Sequence, residues 1–430
     1  MQKLVTWWER ALVAALCLSV AFLGIGRVAI FPDGGRLSSW SISRTTFFFW
    51  FALKLLLLVR FGWTRTGLTE LTNLTPLFFF FIAVTLSLLP DFRQAGDYRY
   101  FFFGCAHAVM LVDLFSSARR ERWLPWLLGI MPLVVVARGL AHDPSILTFD
   151  LAHRFDFPLD HANTAGYVFA MSIPLCLFGV LVKTGWWRAL GLLSCAAQTV
   201  ALILTFSRGA WLGWTAALVH LAITTKKWKY LAALGVLAMT CVVAAPSLRN
   251  RLITVGQPQA DQSIRERVQL LKSSLELGIE NPMLGVGYGR GRLKESLRSR
   301  LQGTLLDDSP IWHTHNLYVE IFAGTGLLGL MTLGWLMVQS LLRVSQAAFR
   351  RAGAEQLMGF TLAASWIAAI VTGFGDIPFY HHETRIFFFS LFALAHIYSS
   401  RPEKVASDAN DPEPHRAMPQ KRSARVGKSG

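Results

Sequence analysis

Apolar runs that approach the thickness of a lipid bilayer recur along the whole chain and constrain its fold more than any other feature. Of the 430 residues, 53% are hydrophobic and 16% are charged, whereas soluble domains carry about 25% charged residues. We count twelve runs, at about 11–30, 45–60, 75–90, 99–116, 122–138, 164–183, 188–206, 209–224, 229–246, 316–341, 357–374 and 384–399. We therefore predict an all-α, polytopic integral membrane protein with about 12 transmembrane helices, some of which extend beyond their apolar runs to reach spanning length.

Basic residues between these runs predict the orientation. If the N-terminus is cytoplasmic, the inside loops carry more Lys and Arg than the short outside loops, as the positive-inside rule requires. We accordingly expect transmembrane helices 1–9 in 1–246, a large periplasmic loop containing helices at 247–315, transmembrane helices 10–12 in 316–399, and a disordered basic cytoplasmic tail at 400–430. Both termini then face the cytoplasm. This topology accounts for the net charge of +16 without invoking nucleic acid.

The large outer loop is the main hydrophilic part of the chain. It carries ten basic residues between Arg249 and Arg300. Residues 263–280 have the pattern of an amphipathic helix, which Asn281-Pro282 would end. The glycine-rich turn that follows, at 284–289, can bring backbone N–H groups close to an anion. A solvated amphipathic hairpin on the membrane surface is the simpler interpretation of this loop taken alone.

Two polar residues at the ends of apolar runs are candidates for chemistry. Arg208 separates runs seven and eight, where an arginine either faces a polar partner or extends to the interface; its planar fork suits phosphate. His315 stands where the loop enters run ten and can act as a base near neutral pH. The alternative for His315 is a structural position beside Asn316 as the helix N-cap.

Other polar groups lie at the same predicted face. His161 and Asn163 open run six, and the last outer loop contains Asp376, His381, His382, Glu383 and Arg385; helix capping is the simpler role for most of them. Lys54 lies inside run two, and its role is left open. The five cysteines form no CxxC pair, and no GxxxxGK[ST], DxD or HExxH motif is present. The residues thus predict a site that uses neither nucleotide nor metal. The site is basic enough to bind a lipid-linked phosphate.

The spacing His315-Asn316, nine residues, Gly326, two residues, Gly329 resembles the H-[N/S/Q]-x9-G-x2-[G/T/Y] signature of bacterial O-antigen ligases (WaaL). Four further segments resemble the wider ligase and polymerase superfamily: Ser207-Arg208-Gly209, 267–271, 281–289 and His161-Ala162-Asn163. The motif resemblance covers about 160–330. In the superfamily an aromatic residue often follows the apolar pair of the loop, where this chain has Leu271.

The resemblance implies a glycosyltransferase of the Gram-negative inner membrane with a periplasmic active site. It would transfer O-antigen polysaccharide, with inversion, from undecaprenyl diphosphate to a sugar hydroxyl of lipid A-core in lipopolysaccharide biosynthesis. His315 would be the general base, and Arg208 and Arg267 would stabilise the leaving diphosphate. Candidate substrate-binding residues are Arg265, Asn316, His161, Asn163, His313, Arg290 and Asp376; Arg265 is the alternative to Arg267 as the functional loop arginine. No metal or other cofactor is implied.

Three alternatives stay open at this point. An O-antigen polymerase tends to have two sizeable outer loops, whereas the second loop here, at about 139–163, is short. A protein O-oligosaccharyltransferase would use a Ser or Thr acceptor. A non-enzymatic transporter of lipid-linked sugar would place charged residues at mid-membrane in several helices, and only Lys54 clearly fits that expectation.

Overall fold

Helices make up almost all of the fold. The computed structural model describes residues 2–25, 28–29, 36–61, 74–89, 96–116, 124–159, 161–253, 262–302 and 313–401. The described α-helices are α1 (Gln2–Ile25), α2 (Ser39–Phe61), α3 (Thr75–Leu86), α4 (Gly96–Phe115), α5 (Leu124–His142), α6 (Ala162–Val182), α7 (Gly185–Leu204), α8 (Arg208–Thr225), α9 (Trp228–Ala244), α10 (Pro246–Ile253), α11 (Gln262–Glu280), α12 (Arg290–Leu301), α13 (Leu317–Phe349), α14 (Gly353–Thr372) and α15 (His382–Ser399). A 3₁₀ helix covers Pro144–Thr148, and β1 (Val28–Ala29) pairs antiparallel with β2 (Arg36–Leu37).

Each of the twelve predicted runs coincides with one of these α-helices, and α10, α11 and α12 occupy the predicted outer loop. Six described helical segments are both long and apolar enough to cross a membrane: Ser41–Arg60, Leu124–His142, Ala162–Val182, Gly185–Leu204, Leu317–Phe349 and Gly353–Thr372. The fold is therefore that of a multi-pass helical membrane protein. The full count of twelve spans, the orientation of the chain and its division into the four segments stay predictions, and the tail from 402 onward lies outside the described residues.

The core is built around α6, α8 and α14. Helix α6 is buried along almost its whole length and packs against α5, α7, α8 and α14. Helices α8 and α14 lie unusually close because glycine replaces a side chain between them: a Cβ on Gly213 would stand 2.1 Å from Oγ1 of Thr372, and one on Gly209 would stand 3.1 Å from Cα of Gly375. This contact fixes the start of α8, and with it Arg208, beside the loop that follows α14.

Helix α13 is broken at Gly326, whose φ of 67° and ψ of −167° are not helical. The turn that follows α11 inserts at this break, and a Cβ on Gly326 would stand 2.2 Å from the carbonyl carbon of Met283. Only glycine combines that left-handed φ with so close an approach. The N–H groups of Val286 and Gly287 donate to the carbonyls of Ala323 and Gly324, each at 2.9 Å. These two N–H groups are thus satisfied inside the protein and are not open to an anion.

Lys54, left open by the sequence, forms an ion pair between α2 and α4. Its Nζ lies 2.7 Å from Oδ2 of Asp113, and Nε1 of Trp50 donates to the same carboxylate at 2.7 Å. Both charged side chains are buried. A charge inside a membrane protein is tolerated when it is paired, so this pair gives Lys54 a structural explanation.

Candidate active site

The histidine-bearing segment 313–316 is held at the start of α13 by backbone hydrogen bonds. Asn316 is the N-cap of α13, and its Oδ1 accepts from the N–H groups of Tyr318 and Val319, each at 3.1 Å. The N–H of Leu317 donates to the carbonyl of Gly373 at 2.8 Å, which fastens the segment to the end of α14. His315 has a φ of 55°, a left-handed conformation that is uncommon outside glycine. This bend places the His315 ring at the surface of a cavity.

A buried glutamate in the first turn of α13 also holds the segment 313–316 in place. One carboxyl oxygen of Glu320, Oε2, accepts from the N–H of Thr314 at 2.8 Å. The other, Oε1, accepts from the hydroxyl of Tyr380. Glu320 is 2% exposed, so these hydrogen bonds are its compensation for burial. The carboxyl group therefore ties the histidine segment to the loop that follows α14, a link that the sequence analysis missed.

His313 and Asp376 form a buried pair next to this link. Nε2 of His313 lies 3.1 Å from Oδ1 of Asp376, which also accepts from the N–H of Ile377 at 2.8 Å. Burial alone would raise the pKa of Asp376, but the hydrogen bond from His313 and the nearby imidazoles outweigh it, so the pKa lies below its ordinary value. Asp376 is therefore ionised at neutral pH and orients the His313 ring.

The His315 ring lies 4.1 Å from the His313 ring, centroid to centroid. Nδ1 of His315 is buried and makes no hydrogen bond to a described residue. Burial is the main reason that the pKa of His315 is lowered to about 3, and the neighbouring His313 and Arg267 act in the same direction. His315 is consequently neutral at physiological pH, as an imidazole that accepts a proton must be.

A cavity of about 580 Å³ brings the predicted catalytic residues together. Arg208 from the first turn of α8, Arg267 from α11 and His315 all line it. The other lining residues are Trp211, Leu212, Thr215, Ile264, Val268, Leu271, Thr314, Asn316 and Phe374. Most of these residues are apolar, so the cavity combines two cations and an imidazole with an otherwise mainly apolar wall. Such a site suits an anionic headgroup attached to a hydrocarbon chain.

The other predicted substrate-binding residues are distributed differently. Asn316 lines the cavity, while His313 and Asp376 lie directly behind His315. Arg265 is exposed on α11 and is not among the lining residues, which favours Arg267 over Arg265 as the functional loop arginine. Arg290 begins α12, and its side chain falls outside what the structure describes.

His161 and Asn163 stabilise the start of α6, in agreement with the expected capping role. Nδ1 of His161 accepts from the N–H of Asn163 at 3.2 Å. The Asn163 side chain accepts from Nη2 of Arg154 at 3.1 Å, and Nε of Arg154 donates to the carbonyl of Thr205 at 2.8 Å. Arg154 thereby links α6 to the turn that precedes Arg208. Nothing local in the sequence marks the contact between Arg154 and Thr205, because the two residues are 51 positions apart.

Three side chains in this cluster could hold a metal ion. Ligand atoms of His313, His315 and Asp376 all lie within 4.8 Å of one another, and imidazole with carboxylate is a common donor set for zinc. The two arginines beside them oppose a cation, because like charges so close raise the energy of binding. Chelation therefore provides a direct test of the expected metal independence.

Part of the chain matches a known protein family. No curated protein matches the chain. Residues 189–334, the segment that contains Arg208, Arg267, His315 and Gly326, match the model of the Wzy_C family, described as O-antigen ligase, and this match confirms the resemblance to the O-antigen ligase and polymerase superfamily.

Proposed function

We propose that the protein is an O-antigen ligase. It transfers O-antigen polysaccharide from undecaprenyl diphosphate to a sugar hydroxyl of lipid A-core, at the periplasmic face of the bacterial inner membrane. The observation that supports this most strongly is the meeting of Arg208, Arg267 and His315 around one cavity with apolar walls. The family match supports the class of reaction, and the ligase assignment within that class is our inference.

The two arginines act on the donor. The planar guanidinium group offers paired N–H donors that match the oxygens of a phosphate. Arg208 and Arg267 approach from different helices, so a diphosphate between them is held from two sides. As the bond from the anomeric carbon to the phosphate oxygen breaks, negative charge grows on that oxygen, and fixed cations stabilise it most at that moment. In this way the arginines supply the charge that a metal ion supplies in other transferases.

His315 acts on the acceptor. Its neutral imidazole takes the proton of the sugar hydroxyl while the hydroxyl oxygen bonds to the anomeric carbon with inversion. The products are the glycosylated lipid A-core and undecaprenyl diphosphate. The negative charge of the bound donor opposes the effect of Arg267 on the pKa of His315, which makes His315 a stronger base in the complex than in the free protein. The base thus gains strength when the donor is present.

The apolar walls act on the lipid part of the donor. Trp211, Leu212 and Thr215 follow Arg208 along one side of α8, so the lining of the cavity extends from Arg208 along this helix. A polyprenyl chain can lie against this side while its diphosphate stays beside the arginines. This arrangement restricts the site to substrates in which phosphate and hydrocarbon are joined.

The test is transfer by the purified protein in lipid nanodiscs that contain undecaprenyl-diphosphate-linked polysaccharide and lipid A-core. Arg208→Ala, Arg267→Ala and His315→Ala should each abolish the shifted lipopolysaccharide band. Arg265→Ala, the matched control on the same helix, should keep it. Longer chains on the lipid carrier, with no product on lipid A-core, would show a polymerase instead. Full transfer by His315→Ala would exclude this histidine as the base.

A further inference from the structure

Helix α11 has two apolar faces, and only one of them is covered by protein. Leu270 and Leu277 are buried in a cluster with Leu293 and Leu297 of α12. On another side of the helix, Val268, Leu275 and Ile279 follow one another at spacings of seven and four residues, which places them on one stripe. They are 58%, 38% and 68% exposed. A helix in water has no physical reason to present such a stripe.

The stripe continues into an exposed stripe of α13. Met283, just beyond the end of α11, is 66% exposed. The N–H of Leu327 donates to the carbonyl of Pro282 at 2.7 Å, which places Met283 beside Leu327. From Leu327 the exposed apolar residues continue along α13 as Met331, Trp335, Val338 and Leu342. Their spacing of three to four residues is that of a lipid-facing side of a transmembrane helix.

The part of α13 beyond the break at Gly326 is long enough to cross the membrane by itself. The part of α13 from Leu327 to Phe349 has a length of about 34 Å at about 1.5 Å per residue. This is close to the roughly 30 Å thickness of the hydrocarbon core, so that part alone is sufficient to cross it. The turn after α11, which is inserted at the break, therefore lies at the membrane boundary.

We propose that α11 is an interfacial helix whose stripe, Val268, Leu275, Ile279 and Met283, lies in the lipid leaflet on the side where the cavity opens. The partner is a lipid surface and not a second protein, because the stripe is continuous with the lipid-facing side of α13. Arg265, Glu276 and Glu280 lie round the helix from the stripe and remain in water, which is the arrangement of helices that lie in a membrane surface. Lys272 falls within the stripe, between Val268 and Leu275, and its long side chain can carry the ammonium group out to the lipid headgroups.

This placement has a consequence for the cavity. Val268 belongs both to the stripe and to the cavity wall, and its neighbour Arg267 also lines the cavity. Leu212 of α8, which also lines the cavity, is 65% exposed. Lipid therefore closes the cavity on the side between α8 and α11. Because α11 lies in this lipid, the lipid also fixes the depth of Arg267 relative to the membrane surface. The inference concerns the position of a helix and does not depend on which sugar is transferred.

Site-specific fluorescence tests the position directly. An environment-sensitive thiol probe is attached at Leu275→Cys, Ile279→Cys or Met283→Cys of the full-length protein in lipid vesicles. Glu276→Cys is the matched control, about 100° round the same helix from Leu275. The parent chain, whose described cysteines are buried or half-buried, gives the background labelling.

Probes on the stripe should be quenched by spin-labelled lipid and should show a several-fold smaller quenching constant for aqueous iodide than the Glu276→Cys probe. Equal iodide quenching at both positions would overturn the proposal. Protection from iodide without quenching by spin-labelled lipid would also overturn it, because protein would then cover the stripe. All these positions are exposed, so substitution leaves the core intact, and the stripe is tested at three independent sites.

Discussion

Replacement of Glu320 tests whether the histidine segment must be held in place for transfer. In Glu320→Ala the N–H of Thr314 and the hydroxyl of Tyr380 lose their acceptor while both stay buried. Leaving a buried donor without a partner costs about 1–3 kcal/mol, so the folded arrangement of the segment loses about 2–6 kcal/mol for two donors. Even the lower figure corresponds to about a 30-fold decrease in the occupancy of the productive arrangement.

The expected result is a fall in kcat of at least about 30-fold, with little change in KM for the donor, because Arg208 and Arg267 lie on other helices. Glu320→Gln separates hydrogen bonding from charge. Its amide oxygen can accept from Thr314 and its NH₂ group can donate to the Tyr380 oxygen, so we expect most of the activity to return. Steady-state kinetics in nanodiscs give kcat and KM separately.

Val319→Ala, a change in the same helical turn that leaves both hydrogen bonds in place, is the control, and thermal unfolding in detergent reports whether each variant folds. Wild-type kcat in a folded Glu320→Ala protein would refute the positioning role. Equal loss in the Gln and Ala variants would show that the negative charge matters and the hydrogen bonds do not.

Three further predictions follow from the site and its support. Because the pKa of His315 in the free protein is lowered to about 3, the neutral base persists as pH falls, and kcat/KM should not decrease between about pH 8 and 6 through this group; a decrease centred near the ordinary value of about 6.5 would contradict it. Dialysis against a chelator should leave the transfer rate unchanged, whereas loss that zinc restores would show that His313, His315 and Asp376 bind a required metal. Lys54→Met should lower the free energy of unfolding by about 3–5 kcal/mol, because it leaves the buried Asp113 carboxylate without its counter-ion, and adding Asp113→Leu should recover much of that loss. Thermal unfolding of the single and double variants measures the loss and the recovery. An unchanged stability of the single variant would show that the ion pair is dispensable.

The positions of the helices could be predicted from the sequence because hydropathy is a local property. All twelve apolar runs coincide with helices, and Asn316 caps α13 as its side chain type suggests. The choice of Arg267 over Arg265 also agrees with the structure, since only Arg267 lines the cavity. The assignment of catalytic roles to these residues stays a prediction until the variants are measured.

The supporting contacts could not be predicted, because they join residues far apart in the chain. Glu320 meets Tyr380 across 60 residues, and Arg154 meets Thr205 across 51. Glu320 also lies in an apolar helix, where an acidic residue has no local partner to indicate its role. A charge inside an apolar run is the available signal, and it applied to Glu320 as much as to Lys54.

Helix α13 joins the two halves of the candidate chemistry. Through Glu320 and the Asn316 cap it holds His315, and through the break at Gly326 it holds the turn that ends α11, the helix that carries Arg267. Arg267 is therefore placed by the packing of α13 against the turn after α11, and Arg208 by the packing of α8 against α14. His315 is tied to both sides, through the Asn316 cap and through the hydrogen bond from Leu317 to Gly373. This division explains why close packing is needed at both Gly326 and Gly213: each glycine fixes one side of the cavity. A larger residue at either position should change the distance between the two arginines, so that a diphosphate bound to one of them no longer reaches the other.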